Sequence, residues 1–151
     1  MFKLQDEEFS RFSLSDYLIP AERVAHVQIG NNVEHALLVL TKSGYTAIPV
    51  LDPTYKLHGL ISTPIIMESI LGLERIEFEK LEQKRVEEVM LTDIPRLKTD
   101  SSPETCLNLL VDHPFLCVED EDGLFEGILT RRAILLQLSK RLQQIEKTEG
   151  S

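Results

Sequence analysis

The chain has 151 residues, 42% hydrophobic and 27% charged, the composition of one folded domain or of two small lobes sharing a core rather than of a disordered chain. Its formal charge of −9 opposes a nucleic-acid or other polyanionic partner, which needs many Lys and Arg to displace counterions. A small anionic ligand is not excluded, because screening acts over about 8 Å and a local arginine cluster outweighs distant carboxylates.

The opening stretch, Met1 to Glu8, is too acidic for a signal peptide, and no apolar run approaches the ~20 residues of a membrane span. A cytoplasmic location without membrane contact is the expectation. From Leu18-Ile19-Pro20 the chain becomes structured, and Arg23 to Val27 alternates like a short strand. Asn31, with Glu34 three residues on, reads as a capping box for a helix whose stripe is Val33, Ala36, Leu37 and Leu40, ended by Gly44 as a left-handed cap. Thr46 to Leu51 reads as a buried strand, Asp52-Pro53-Thr54 as a turn, and Leu57 to Ile61 as a second strand. Ser62 or Thr63 then caps a helix with Pro64 in its first turn, carrying Ile65, Ile66, Ile70 and Leu71.

The same order returns later. Val50, Asp52 and Gly59 are matched by Val118, Asp120 and Gly127, each 68 positions on, so each copy must be one supersecondary unit that buries the other's apolar face. Val89-Met90 opens the second copy, and Ile94 to Leu97 stands for its first strand. Ser101 with Glu104 forms the capping box of a helix with Leu107, Leu110 and Val111 as its stripe. Phe115 to Val118 and Phe125 to Leu129 are strands, and Thr130 caps a last helix with Ile134, Leu138, Leu142 and Ile145 on one face. The two copies span residues 14–72 and 87–146, joined by a charged connector over 73–86 and followed by a frayed tail at 147–151.

Reactive chemistry is sparse. Cys106 and Cys117 form no C-x-x-C pair and read as buried structural thiols, and His26, His35, His58 and His113 lack metal-ligand spacing. No catalytic triad or P-loop is present, so an enzyme is not expected and no cofactor or metal is called for. The two strand-to-helix corners, Ser62-Thr63 and Thr130-Arg131-Arg132, occupy equivalent places of the kind where helix N-termini receive anions. Two arginines at a helix start oppose the dipole, and a local rule broken at a corner marks a candidate site.

The helix pattern, the strand Gly44 to Asp52 and the corner Gly59-Leu60-Ile61-Ser62-Thr63 resemble a CBS motif, and the second copy resembles its partner. The resemblance covers roughly residues 14 to 142. It implies an α/β fold of tandem CBS motifs, two β-α-β-β-α repeats with pseudo-twofold symmetry that form one Bateman module. Ala21 to Val27, Gly44 to Asp52 and Gly127 to Arg132 bring the chain closer to the small stand-alone CBS-pair proteins of low-GC Gram-positive bacteria that bind cyclic di-AMP.

That resemblance implies a cleft joining Arg23, Ala25, His26, Tyr45, Thr46 and Ala47 of one copy to Thr130, Arg131 and Arg132 of the other. Small Ala25 and Ala47 let the backbone approach a flat base, Tyr45 or His26 stacks on it, and the arginines meet phosphate. In nucleotide-binding CBS motifs an Asp three residues after the corner Ser/Thr accepts from ribose; here that slot holds Ile65 and Ala133. A ligand rich in phosphate and poor in free ribose hydroxyls, such as cyclic di-AMP, suits this inventory better than AMP. The other cleft, joining Ser62-Thr63 to Arg96, His113, Pro114 and Phe115, is expected to be empty or weak.

The function so implied is a non-catalytic receptor whose occupancy regulates a protein partner, a (p)ppGpp synthetase/hydrolase or pyruvate carboxylase. Homodimerisation is expected through the helices Thr63 to Leu71 and Ala133 to Ile145. Two rivals remain: a sensor of AMP, ADP or ATP in the same fold, and a constitutive assembly module with vestigial clefts.

Overall fold

The computed structural model describes residues 13–149. Two sheets carry the chain. One holds β2 (Val27–Gln28), β3 (Ala47–Leu51) and β4 (Leu57–Ser62) in that order; the other holds β1 (Ile19–Pro20), β7 (Phe125–Thr130), β6 (Phe115–Glu119) and β5 (Arg96–Lys98). Within each copy the first strand runs parallel to the second across a helical crossover, and the second and third form an antiparallel hairpin. Helices α1 (Val33–Ser43) and α2 (Thr63–Ile70) serve the first copy, and α5 (Pro103–Asp112) and α6 (Arg131–Glu149) the second. Between them lie the one-turn helices α3 (Lys80–Gln83) and α4 (Val86–Val89). The fold is α/β, two β-α-β-β-α units about a pseudo-twofold axis.

The axis passes through the hairpin tips. Lys56 bridges Leu124, its counterpart 68 positions on; the Leu57 amide donates to the Gly123 carbonyl and the Phe125 amide to the Tyr55 carbonyl. Asp52 and Asp120 build those tips with their carboxylates, each accepting from the amides two and four residues on. Tyr55 and Gly123 both take positive φ there, 74° and 85°.

Each sheet is completed by the segment that enters the other copy. Ile19 and Pro20 pair with Ile128 and Gly127 of β7, and the Leu91 and Leu60 backbones exchange two hydrogen bonds at the edge of β4. This close approach explains the repeated glycine. A Cβ on Gly59 would lie 2.5 Å from the Leu91 carbonyl oxygen, and one on Gly127 would lie 2.0 Å from that of Ile19.

Three apolar clusters follow: one under α1 and α2, one under α5 and α6, and a third between the sheets made of Ala21, Val24, Leu51, Leu57, Cys117, Phe125 and Ile128. The first-copy stripe is buried as its period requires, with Val33 and Ala36 at 0% exposure and Leu40 at 1%. Both cysteines are buried free thiols.

Several local expectations shift. Asn32, not Asn31, caps α1 by accepting from the His35 amide at 2.9 Å, and Ser102, not Ser101, caps α5 through the Thr105 amide. The residues expected as caps instead close the preceding turn, Asn31 accepting from the Gln28 amide and Ser101 from the Lys98 amide. Arg23 to Val27 is not one strand: Ala21–Arg23 makes a 3-10 turn after Pro20, and extended pairing starts at Val27. Val111 is 74% exposed rather than part of a buried stripe, and on α6 only Ile134 and Leu138 reach the core while Leu142 and Ile145 remain 42% exposed. The expected frayed tail is helical through Glu149; Gly150 and Ser151 lie outside the described residues.

Candidate functional site

The two sheets leave a cavity of about 130 Å³ beside the axis, lined by Val24, Ala25, Tyr45, Ala47, Ile48, Pro49, Pro114, Phe115, Ile128 and Thr130. Its walls are almost wholly apolar, and its volume is well below the 300–1,000 Å³ that encloses a drug-sized ligand. One flat heteroaromatic base fits; a whole dinucleotide does not. Ala25 and Ala47 give it depth, because a larger side chain at either position would fill the space the lining now leaves. Tyr45, 41% exposed, stands at its rim, following the left-handed Gly44 (φ 78°) that ends α1.

Thr130 supplies the polar edge. Its hydroxyl oxygen accepts from the Ala133 amide at 3.1 Å as the cap of α6, which leaves the hydroxyl hydrogen to donate outward. The Arg131 amide donates to the Pro114 carbonyl at 2.9 Å. Of the first-turn amides of α6, that of Arg132 is the one left unbonded among the described residues. Arg132 is exposed, and its guanidinium has no partner among the described residues.

Arg131 behaves differently from its neighbour. Its guanidinium turns back to donate to the carbonyl oxygens of Leu110 (2.8 Å) and Val111 (3.2 Å), the last turn of α5, and it lines the groove between α5 and α6 rather than the cavity. Those contacts satisfy orphan carbonyls at a helix end. His26 also leaves the cavity, its ring edge-on to Tyr55 at 5.3 Å and its Nδ1 3.2 Å from the Val24 carbonyl oxygen. Arg23 is exposed two residues before Ala25, and Thr46 is exposed with its carbonyl accepting from the Thr63 amide. Of the nine expected residues, therefore, Ala25, Tyr45, Ala47 and Thr130 line the cavity, Arg23 and Thr46 sit exposed beside lining residues in the chain, Arg132 is exposed two positions after Thr130, and His26 and Arg131 make contacts elsewhere.

Pro114 and Phe115, expected only in the second cleft, line this cavity. The signal was present in the repeat: the hairpin register that pairs Ala47 with Ser62 also pairs Phe115 with Thr130, so both strand starts face the axis. Val24, Ile48, Pro49 and Ile128 also line it, and they carry no chemical signature in the sequence that marks them. Cys117 lies in the inter-sheet cluster with Ile128, and burial pushes its thiol up to about 12, which leaves it unionised and inert.

Of the residues expected in the second cleft, Arg96 is engaged by protein groups. Arg96 stands where His26 stands in the first copy, one residue before the buried Val27 and Leu97 that take equivalent places beside Val50 and Val118. Its guanidinium donates to the carbonyls of Leu57 (2.8 Å) and His58 (3.4 Å) and pairs with Glu119 at 3.2 Å, a carboxylate 9% exposed that also binds Lys98 at 2.8 Å. Arg96 and Lys98 are thus both paired with Glu119.

A model of the CBS domain matches residues 86–140, the second copy. Cyclic di-AMP receptor B of Bacillus subtilis (strain 168) is 55% identical over 147 residues, covering 97% of this chain and all of that protein. The crystal structure of the Listeria monocytogenes CbpB protein in complex with c-di-AMP is 59% identical, with a TM-score of 0.82 over 87% of this chain and 98% of that one. A second CbpB structure in complex with c-di-AMP, 30% identical, has a TM-score of 0.85 and covers 94% of each chain. With two repeats that exchange their entry segments around one axis, and with this likeness along almost the whole length, the chain belongs to the CBS-domain family, as a CBS-pair protein of the kind that includes the small stand-alone cyclic di-AMP receptors.

Proposed function

We propose that the chain is a non-catalytic receptor for cyclic di-AMP, formed by CBS motifs at residues 14–72 and 87–146 joined through 73–86, and that occupancy of its cleft regulates a protein partner. The observation that carries this reading is the base-sized apolar cavity that opens at Thr130, with Arg132, unpaired among the described residues, two positions on in α6. One adenine enters between Ala25 and Ala47 and meets Tyr45 at the rim. The Thr130 hydroxyl, the Arg132 amide and the guanidiniums of Arg132 and Arg23 take phosphate oxygens. Arg131 contributes by holding the corner against α5.

Ile65 and Ala133 at the two ribose slots favour the cyclic ligand over AMP, ADP or ATP, since neither accepts from a ribose hydroxyl. The partner in the cytoplasm is a (p)ppGpp synthetase/hydrolase or pyruvate carboxylase, as the resemblance implies. The receptor acts as a homodimer through the helices Thr63 to Leu71 and Ala133 to Ile145, where Leu142 and Ile145 present an apolar stripe beyond the core. Among the described residues no helix is long and apolar enough to cross a membrane and no group of residues is arranged for a metal.

Isothermal titration of the purified chain against cyclic di-AMP, AMP and ATP tests the reading. Tightest binding by cyclic di-AMP at one ligand per chain is expected. Equal or tighter binding of AMP makes it an energy sensor, and no heat with any of the three makes it an assembly module.

A further inference from the structure

The repeat accounts for both copies but not for what joins them. Where α6 runs on as one helix of 19 residues, its counterpart α2 stops after eight, at Ile70. The chain then folds a tight loop. Leu71 bridges Ile76, the Gly72 amide donates to the Arg75 carbonyl at 2.8 Å, and the Glu77 amide donates to the Ile70 carbonyl at 2.7 Å. The Arg75 guanidinium grips the Glu79 carboxylate with two hydrogen bonds, and Lys80 pairs with Glu77. At the base of the loop the Lys84 ammonium donates to the Ser69 carbonyl at 3.1 Å. A segment tied in this way is ordered before it meets anything.

This ordered loop displays apolar side chains instead of hiding them. Leu73 is 106% exposed, Phe78 61% and Ile76 37%, all beyond the end of the helix assigned to the dimer. Large apolar residues exposed together on one short segment mark an interaction site, and anchors fixed in advance lose little entropy on binding. The charges around them decide the kind of partner. Both cations of the loop, Arg75 and Lys80, are taken by Glu79 and Glu77, whereas Glu74 and Glu82 have no ion pair among the described residues. The surface is therefore apolar with a negative rim. A second copy of this chain, itself at −9, complements it poorly; a partner with a positive rim complements it well.

Given the partner regulation set out above, we propose that Leu73, Ile76 and Phe78 are the anchors by which the chain docks on the protein it regulates. That partner offers an apolar pocket rimmed by Lys and Arg. The loop also stands where occupancy of the cavity reaches it. The first amide of α2, that of Thr63, donates at 3.3 Å to the carbonyl of Thr46, which the cavity-lining Tyr45 and Ala47 flank in the chain. From that corner α2 runs about 12 Å to Ile70 and the loop. A single helix thus joins the cavity rim to the docking surface.

Calorimetry of the full-length, ligand-free chain against a purified (p)ppGpp synthetase/hydrolase and a purified pyruvate carboxylase tests this surface. Leu73→Ser should lower affinity for the protein that the wild type binds by at least about tenfold, as loss of an interface anchor does. Glu74→Lys/Glu82→Lys should weaken the same complex, more at low salt than at high salt. Affinity for cyclic di-AMP, melting temperature and sedimentation of the free chain should be unchanged in both variants. Wild-type partner affinity in Leu73→Ser overturns the proposal, as does tighter binding after the charge reversal. A free Leu73→Ser chain that sediments at half the wild-type mass overturns it too, because the loop then faces a second copy. If the wild type binds neither protein, the partner regulation itself fails and the docking surface falls with it, whatever ligand the cavity takes.

Discussion

The two clefts are built from the same backbone and differ at a few positions. Where the first copy has Ala25 the second has Pro95, and where it has His26 the second has Arg96. Leu51, sealed at 0%, becomes Glu119, which holds Arg96 and Lys98. Small residues leave a hollow on one side; a proline without an amide and a charge triad stand at the equivalent places on the other. A repeat supplies a symmetric frame for little sequence, and specificity comes from breaking that symmetry at side chains while the backbone ladder is kept. The corners show the same division, since Thr130 is followed by two guanidiniums and Ser62 by Thr63 and Pro64.

The largest effect should come from attacking what both halves share. Gly127→Ala places a Cβ on the Ile19 carbonyl and also strains a position at φ 148°, so it should cost roughly 3 kcal/mol or more in chemical unfolding. Gly59→Ala meets only the steric clash and should cost less; equal costs would show that the backbone angle is irrelevant. Next, Ala25→Leu should fill the cavity and lower affinity for cyclic di-AMP by about 100-fold, matching the 1–3 kcal/mol of overpacking. Arg132→Met should weaken the ligand about 10- to 150-fold through the loss of one charged phosphate contact of about 1.5–3 kcal/mol, with the melting temperature of the free protein unchanged. Arg131→Met should reverse that pattern, lowering the melting temperature because the Leu110 and Val111 carbonyls lose their donor. If calorimetry shows Arg131→Met to be the greater loss of affinity with stability intact, the division of labour between the two arginines is wrong.

A smaller contrast separates the hairpin tips. Asp52 accepts from the Thr54 hydroxyl and the His58 ring in addition to two amides, whereas the Asp120 carboxylate accepts from amides. The Thr54 hydroxyl first, and the His58 ring second, hold the Asp52 carboxyl well below the usual carboxylate range. A depressed folded-state pKa stabilises the protein above the unfolded value near 4, and that contribution is lost as pH falls through the folded value. Melting temperature should therefore drop below about pH 4, and Asp52→Asn should flatten this acid limb; an unaltered slope would count against it. Smallest of all, Thr63→Ala should leave affinity for cyclic di-AMP within about twofold in calorimetry if the ligand sits at the Thr130 corner as proposed.

Much of this was legible in the sequence because the repeat constrained it. Two copies 68 residues apart predict the strand order, the shared glycines and the turn aspartates, since each rests on backbone geometry that both copies must repeat. The left-handed Gly44 and the capping role of Thr130 follow from local chemistry. What stayed hidden depends on side-chain direction. Arg131 and Arg132 are indistinguishable as letters, yet about 100° of helical turn sends one to the α5 carbonyls and leaves the other without a partner among the described residues. His26 was drawn to Tyr55, a contact across a hairpin tip that no local pattern encodes. The caps moved by one residue because Asn31 and Ser101 serve the preceding turn, a competition between two good local hydrogen bonds.

The reciprocal completion of the sheets has a consequence for how the chain is made. Ile19 and Pro20 leave the ribosome more than 100 residues before Gly127 and Ile128, the strand they join, so the earliest segment waits for almost the last. Leu91, by contrast, emerges only about 30 residues after Leu60 and can close the first sheet promptly. Among the described strand pairings, closure of the second sheet is the most non-local, and such pairings form late and slowly. A gene cut between the copies would yield two fragments, each holding the edge piece the other lacks, which should remain incomplete apart and recover structure when mixed.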